Sequence, residues 1–206
     1  MTTPNGTTLL IDVSLRDGLL DQPLTVRLRG FAPSQRVTLR ARQRQDEGAI
    51  WQSWATFVTD ADGRVDLGFQ APIDGTYTGV DPNGLLWSLA PETAGAGRTI
   101  ADGINPITLT LTAEVDGNPV ATTEVLRRAV DPGVTVRPIR EDGVVANLFL
   151  PPGEGPFPTL VVVGGSGGGF ADGAAGLYAS HGYAAFSLAY FGVEGLPDEL
   201  LNIPLE

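Results

Sequence analysis

Thr159-Leu-Val-Val-Val163 runs straight into Gly164-Gly-Ser-Gly-Gly-Gly169, then into Phe170–His181 and Ala184–Tyr190. The first run is short, apolar and β-branched, the composition of a strand buried on both faces of a parallel sheet. Six residues with five glycines cannot continue that strand and form a loop. Phe170–His181 is Ala-rich and compatible with a helix, and Gly182 is placed to cap it. Ala184–Tyr190 has the character of a second buried strand. Strand, Gly loop, helix and strand make a βαβ unit, and its ~32 residues suit one right-handed crossover.

Ahead of that unit, Pro151–Pro158 holds four Pro and two Gly and forms a loop. Before it, Val134–Arg140 and Val144–Leu150 read as strands joined by a turn at Glu141-Asp-Gly143. The region from Val134 holds 73 residues, short of the ~100–150 that a doubly wound domain needs. One helix cannot cover two sheet faces. The chain is therefore expected to be a fragment, or to be completed by a partner, with part of this sheet left exposed.

Between Thr7 and Val130 the vocabulary is different: short alternating runs broken by Gly, Pro, Asp and Asn. The expected strands are Thr8–Val13, Leu24–Arg29, Arg36–Gln43, Trp54–Thr59, Arg64–Leu67, Leu85–Leu89, Ile107–Val115 and Val120–Leu126. Asp116-Gly-Asn118 and Asp60-Ala-Asp-Gly63 are hairpin chemistry. No stretch has helical periodicity. Such spacing predicts a two-sheet, immunoglobulin-like β-sandwich over residues 1–130, with Trp51 or Trp54, Phe57, Leu86 and Trp87 in its core.

Composition excludes several functions. The chain has 206 residues with 13 cations against 24 anions, a net charge of −11, which argues against nucleic-acid binding. All the cations are Arg. Without Lys there is no P-loop and no Schiff-base lysine. Within these residues, zero Cys excludes disulfides, thiolate metal sites and a Cys nucleophile, and one His excludes a multi-His metal site. Met1–Gly6 lacks a signal-peptide pattern and no apolar run approaches ~20 residues, so a cytoplasmic protein without a membrane span is expected.

Gly164-Gly-Ser166-Gly-Gly168 matches G-x-S-x-G between strand and helix, the setting of a nucleophile elbow. However, His181, the one histidine, lies at the far end of the intervening helix, roughly 15 Å away. In a second reading the loop presents backbone N–H groups to an oxyanion, with glycines keeping the approach open. In a third it serves turn geometry only. The second is favoured. Arg36, Arg40, Arg42 and Arg44 share one strand face, read as a solvated face, with phosphate recognition as the sharper alternative. Asp60-x-Asp62-Gly63 with Asp66 lacks the ligands of a calcium loop and reads as a turn. His181 reads as structural.

Several stretches carry a resemblance: Trp51-x-Ser-x-Ala-x-Phe57, Gly75-Thr-Tyr-Thr-Gly-Val-Asp-Pro-Asn-Gly-Leu-Leu-Trp-Ser-Leu89 and Asn147-Leu-Phe-Leu-Pro-Pro-Gly-Glu-Gly-Pro-Phe-Pro158. So do the Gly loop, Ala179-Ser-His-Gly-Tyr-Ala184 and Leu188-Ala-Tyr190. Together, and in order, they resemble the acyl-CoA thioesterase/bile acid-CoA:amino acid N-acyltransferase family. The resemblance implies an N-terminal β-sandwich followed by an α/β-hydrolase domain, of which residues 134–206 are the incomplete start. It implies enzymes of fatty-acid and acyl-CoA metabolism that cleave acyl-CoA thioesters, or pass the acyl group to an amino acid, through an acyl-enzyme intermediate. Coenzyme A enters as part of the substrate, and no separate cofactor or metal is implied. The family's Ser or Cys nucleophile, Asp and His lie downstream of the matched region, so no catalytic residue is assigned and the chain alone is expected to be inactive. What carries over is the oxyanion-side loop: Gly164, Gly165, Ser166, Gly167, Gly168 and Gly169. The alternatives are a carboxylesterase using Ser166 and a non-catalytic β-sandwich binding module. Acyl chain length and oligomeric state stay open.

Overall fold

Residues 8–44, 48–92 and 104–201 are described by a computed structural model. Met1–Gly6 and the last five residues, 202–206, lie outside the described residues. The chain divides into two units, residues 1–99 with 107–127 and residues 100–106 with 128–206.

The first unit is built of strands: β1 (Leu10–Val13), β2 (Asp17–Leu19), β3 (Val26–Arg29), β4 (Arg36–Arg44), β5 (Ile50–Val58), β6 (Val65–Asp66) and β7 (Asp74–Gly75). After these come a four-residue helix, α1 (Gly84–Trp87), then β8 (Ala90–Pro91), β9 (Ile107–Val115) and β10 (Asn118–Arg128). A three-stranded sheet has the order β1-β3-β6, and a seven-stranded sheet the order β2-β10-β9-β4-β5-β7, with β8 also paired to β5. Period-2 alternation sorts the side chains. Val37, Leu39 and Ala41 on β4 point inward and are fully buried, while Arg36 and Arg42 are exposed. Ile11, Val26, Leu28 and Val65 from one sheet and Leu39, Phe57, Leu111 and Val125 from the other belong to one apolar cluster. The turn between β9 and β10 has Asp116 and Gly117 at φ +52° and +76°, as a two-residue hairpin loop requires. Asp60 acts as a turn former: its Oδ1 accepts the N–H groups of Asp62 and Arg64 at 2.9 and 2.8 Å.

The stretch read as a strand, Leu85–Leu89, is not one. Gly84–Trp87 is helical and Leu85 is buried, but Trp87, expected in the core, is 61% exposed. A run this short carries no period, and the turn bonds of Asp81-Pro-Asn-Gly84 decide its conformation. The buried aromatic here is Tyr77, 4% exposed. A Cβ on Gly84 would lie 2.2 Å from its ring, which explains the glycine. The Tyr77 hydroxyl finds no partner among the described residues. Burial, helped by the charge of Asp81, pushes its pKa up to about 12. Tyr77→Phe is therefore expected to stabilise the protein by about 1 kcal/mol at neutral pH, by removing a buried hydroxyl without a partner. The raised pKa means that the folded state favours neutral Tyr77. That contribution is complete below pH ~10 and disappears as the pH rises toward 12, a loss of about 2–3 kcal/mol that the Phe variant should lack. Urea titrations at pH 7 and between pH 10 and 12 check both points.

The second unit contains β11 (Thr135–Glu141), β12 (Val144–Leu150), β13 (Thr159–Val163), α2 (Asp172–Ser180) and β14 (Ala184–Ala189). The sheet order is β11-β12-β14-β13, with β13 parallel to β14 and the other pairs antiparallel. Asp142 and Gly143, at φ +52° and +76°, repeat the hairpin chemistry of the first unit. Helix α2 lays Ala175 and Ala179 on Phe149 and Ala185. Its small residues allow close approach: a Cβ on Gly176 would lie 2.2 Å from Val130. Gly182 N–H bonds Ala179 O and Tyr183 N–H bonds Tyr178 O, a Schellman cap.

Part of this sheet is left exposed, as expected, and the exposed part includes β13. That strand lies at the sheet edge, paired only with β14 among the described residues, and Val161 and Val163 are 65% and 55% exposed. An unbroken apolar run cannot by itself distinguish an edge strand from a central one.

Candidate functional site

The loop Gly164–Gly169 leaves the C-terminal end of β13 and enters α2, and Tyr190–Gly192 leaves the same end of the parallel strand β14. Crevices at such strand ends are where open α/β sheets bind ligands. The two segments are tied together. Gly169 N–H donates to Phe191 O at 3.0 Å, and Tyr190 Oη donates to Gly164 O at 3.4 Å. Phe191 packs edge-on against Tyr190, with ring centroids 4.9 Å apart. Within the loop, Gly168 N–H donates to Gly165 O at 3.1 Å.

The glycines are not equivalent. Gly168 has φ +70°, and a Cβ there would meet the Phe191 ring at 2.9 Å and its carbonyl oxygen at 3.0 Å. Gly164 is crowded by the carbonyls of Gly168 and Gly169 at 3.2 and 3.3 Å. Gly169 needs its φ of +75°. Gly165 and Gly167 have no positive φ, and a Cβ at either would meet nothing within 4 Å. Folding does not require glycine at those two positions. Among the described residues, the N–H groups of Gly165, Ser166 and Gly167 have no acceptor. All three residues are exposed, so the loop presents free donors to solvent.

Ser166 and His181 are not brought together. Ser166 is in the loop, and His181 is the C-cap of α2 beyond nine helical residues, about 13 Å of rise. A serine and its base must lie within ~3 Å. Two of the four arginines on the β4 face are ion-paired. Arg40 holds Glu114 at 3.0 Å and Arg42 pairs with Glu92, as a solvated face does. A cleft of about 620 Å³ outside the three-stranded sheet is lined by Arg27, Arg29, Arg64, Asp66 and Phe69. Its arginines pair with Asp66, Asp12 and Asp62, so it has no surplus charge for an anion. Burial pushes the Asp66 carboxyl up, but hydrogen bonds from Arg27 and Gly68 N–H, with the Arg27 charge, outweigh it and bring it below the usual carboxylate range. The sequence signal missed the contributions of Tyr190 and Phe191, whose roles depend on the parallel register of β13 and β14.

Residues 21–141 match the family described as the acyl-CoA thioester hydrolase/BAAT N-terminal region. The chain is 40% identical over 191 residues to a peroxisomal succinyl-coenzyme A thioesterase of Mus musculus, covering 90% of this chain and 45% of that protein. It is 39% identical over 192 residues to acyl-coenzyme A thioesterase 6 of Homo sapiens, with coverages of 90% and 45%. Acyl-coenzyme A thioesterase 1 of Rattus norvegicus is 37% identical over 192 residues, with coverages of 90% and 46%. The chain thus spans about half the length of these relatives. Among the described residues no helix is long and apolar enough to cross a membrane. The signature stretches around Trp51 and Tyr77 fall inside the matched segment, and the chain belongs to the acyl-CoA thioester hydrolase/BAAT N-terminal region family.

Proposed function

We propose that this chain is the N-terminal portion of an enzyme acting on acyl-CoA thioesters, by hydrolysis or by transfer of the acyl group to an amino acid. In this reading residues 1–130 are an immunoglobulin-like sandwich and residues 134–206 begin an α/β-hydrolase domain. The loop Gly164–Gly169 receives the thioester oxygen. The observation that carries the proposal is the pair Gly165 and Gly167, glycines with no folding requirement that flank free N–H donors. Attack on a thioester carbonyl moves charge onto its oxygen. A preorganised N–H donor at that point contributes about 3–4 kcal/mol to the transition state. The N-terminus of α2 adds its partial positive charge, and the absence of side chains at Gly165 and Gly167 lets the carbonyl come close. Coenzyme A takes part only as the substrate's thiol half.

In this reading the nucleophile, its base and the acid that orients the base lie outside residues 1–206. Ser166 is a loop residue in this scheme, since the separation from His181 leaves it without a base. Following thiol release from palmitoyl-CoA and succinyl-CoA tests this. The 206-residue chain should show no turnover above the uncatalysed rate, and Ser166→Ala should change nothing. Turnover that disappears in Ser166→Ala would contradict the assignment and favour the carboxylesterase alternative.

A further inference from the structure

The loop that holds the free donors is glycine-rich, and glycine is the residue least able to hold a conformation by itself. Its order has to come from its attachments. The entry is held by β13 and by Tyr190, and the body by the bonds of Gly168 and Gly169. The exit is held from the β11–β12 hairpin. Asn147, on β12, donates from Nδ2 to both carboxylate oxygens of Asp172, at 3.1 and 2.9 Å. Asp172 is the first residue of α2. Asn147 Oδ1 in turn accepts from Arg140 Nη2 at 3.3 Å. Arg140 is fixed by donating from Nη1 to Ile139 O at 2.7 Å and to Ala146 O. Its guanidinium lies 4.9 Å from the centre of the Phe170 ring.

Phe170 and Asp172 flank Ala171, the N-cap of α2, whose own side chain caps nothing. A helix start usually relies on a Ser, Thr, Asp or Asn at that position. Here the chain is gripped on both sides of the cap instead, by Arg140 at Phe170 and by Asn147 at Asp172. The grip has a second consequence. A carboxylate in the first turn is attracted to the helix N-terminus. Held by Asn147, it is directed to the sheet.

We infer that Asn147 is a positioning residue for the Gly164–Gly169 loop, acting through Asp172 and supported by Arg140. The inference rests on the proposed role of that loop, but its test does not use turnover or coenzyme A.

The test is a reciprocal exchange of side chains in the 206-residue chain, read by residue-resolved amide hydrogen exchange. Asn147→Asp sets two carboxylates against each other and removes the donor. The bonded amides of Gly168 and Gly169 should then exchange about tenfold faster, with β4 and β9 unchanged. Adding Asp172→Asn restores an amide–carboxylate pair with its polarity reversed, and the Gly168 and Gly169 rates should return to within about threefold of the wild type. Asn147→Ala, which adds no charge, should speed the same two amides while α2 and β14 keep their protection. Unchanged loop rates in Asn147→Ala, or failure of the exchanged pair to restore them, would overturn the inference. So would an equal rise across β12, α2 and β14, the sign of a residue that only packs. Restored exchange in a chain whose loop never contacts a thioester would leave the relay standing and remove only the proposed function.

Discussion

Arg127→Ala is expected to be among the most damaging single substitutions in the first unit, costing about 2–4 kcal/mol. Arg127, near the end of β10, is 4% exposed, and its Nη2 donates to both Leu20 O and Gln22 O at 2.8 Å. Those two bonds tie the segment following β2 to the seven-stranded sheet. Burial pushes the guanidinium pKa below its usual value, and the charge of Asp21 pushes it back up. Truncation leaves two carbonyls without their charged donor and opens the space that the stem filled. Arg127→Met separates the two effects. It keeps most of the apolar stem and loses the donors, so it should cost roughly half as much as the alanine variant. Chemical denaturation of the three proteins measures this order. A cost below about 1 kcal/mol for Arg127→Ala would mean that the buried guanidinium contributes little net stability, because its Nη1 has no partner among the described residues.

Gly168→Val and Gly167→Val are expected to behave oppositely although the positions are adjacent. At Gly168 a β-branched side chain must adopt φ +70° and meet Phe191 at 2.9 Å, against backbone as well as ring. The left-handed conformation costs about 1–2 kcal/mol and the overlap about 1–3 kcal/mol more. The second unit should lose most of its thermal stability. At Gly167 the same side chain enters open space with ordinary backbone angles, and stability should change by less than about 0.5 kcal/mol. The loss at Gly167 is expected in binding, because the isopropyl group adds bulk to the open space around the loop proposed to receive the carbonyl. Thermal melts of both variants check the first half of this contrast.

Much of the second unit was readable from residue types alone. Val163 ends β13 where the glycines begin, Asp142-Gly143 turns the hairpin, and Gly182 caps α2. Each is a local device whose chemistry is complete within a few residues. What escaped depends on distant partners. Asn147 and Asp172 are 25 positions apart, and only the packing of α2 beside β12 brings them together. β2, β7 and β8 are two or three residues long and exist because a neighbour pairs with them. Leu85–Leu89 offered apolar residues without a period, and its helical turn came from Asp81 and Asn83 instead. At the site, the glycine run marked the loop, but its division into packing glycines and open glycines depends on where Phe191 lies.

On the proposed function, Gly165, Ser166 and Gly167 are expected to present their N–H groups to the carbonyl oxygen of an acyl-CoA. The most direct measurement is an amide NMR titration of the chain with an acyl-CoA ketone analogue, in which a methylene replaces the thioester sulfur. Saturable shifts centred on the amides of Gly165, Ser166 and Gly167, abolished by Gly167→Val, are the predicted result. Those three amides staying in place, whether the analogue moves resonances on the Arg36–Arg44 face or none at all, would contradict the account.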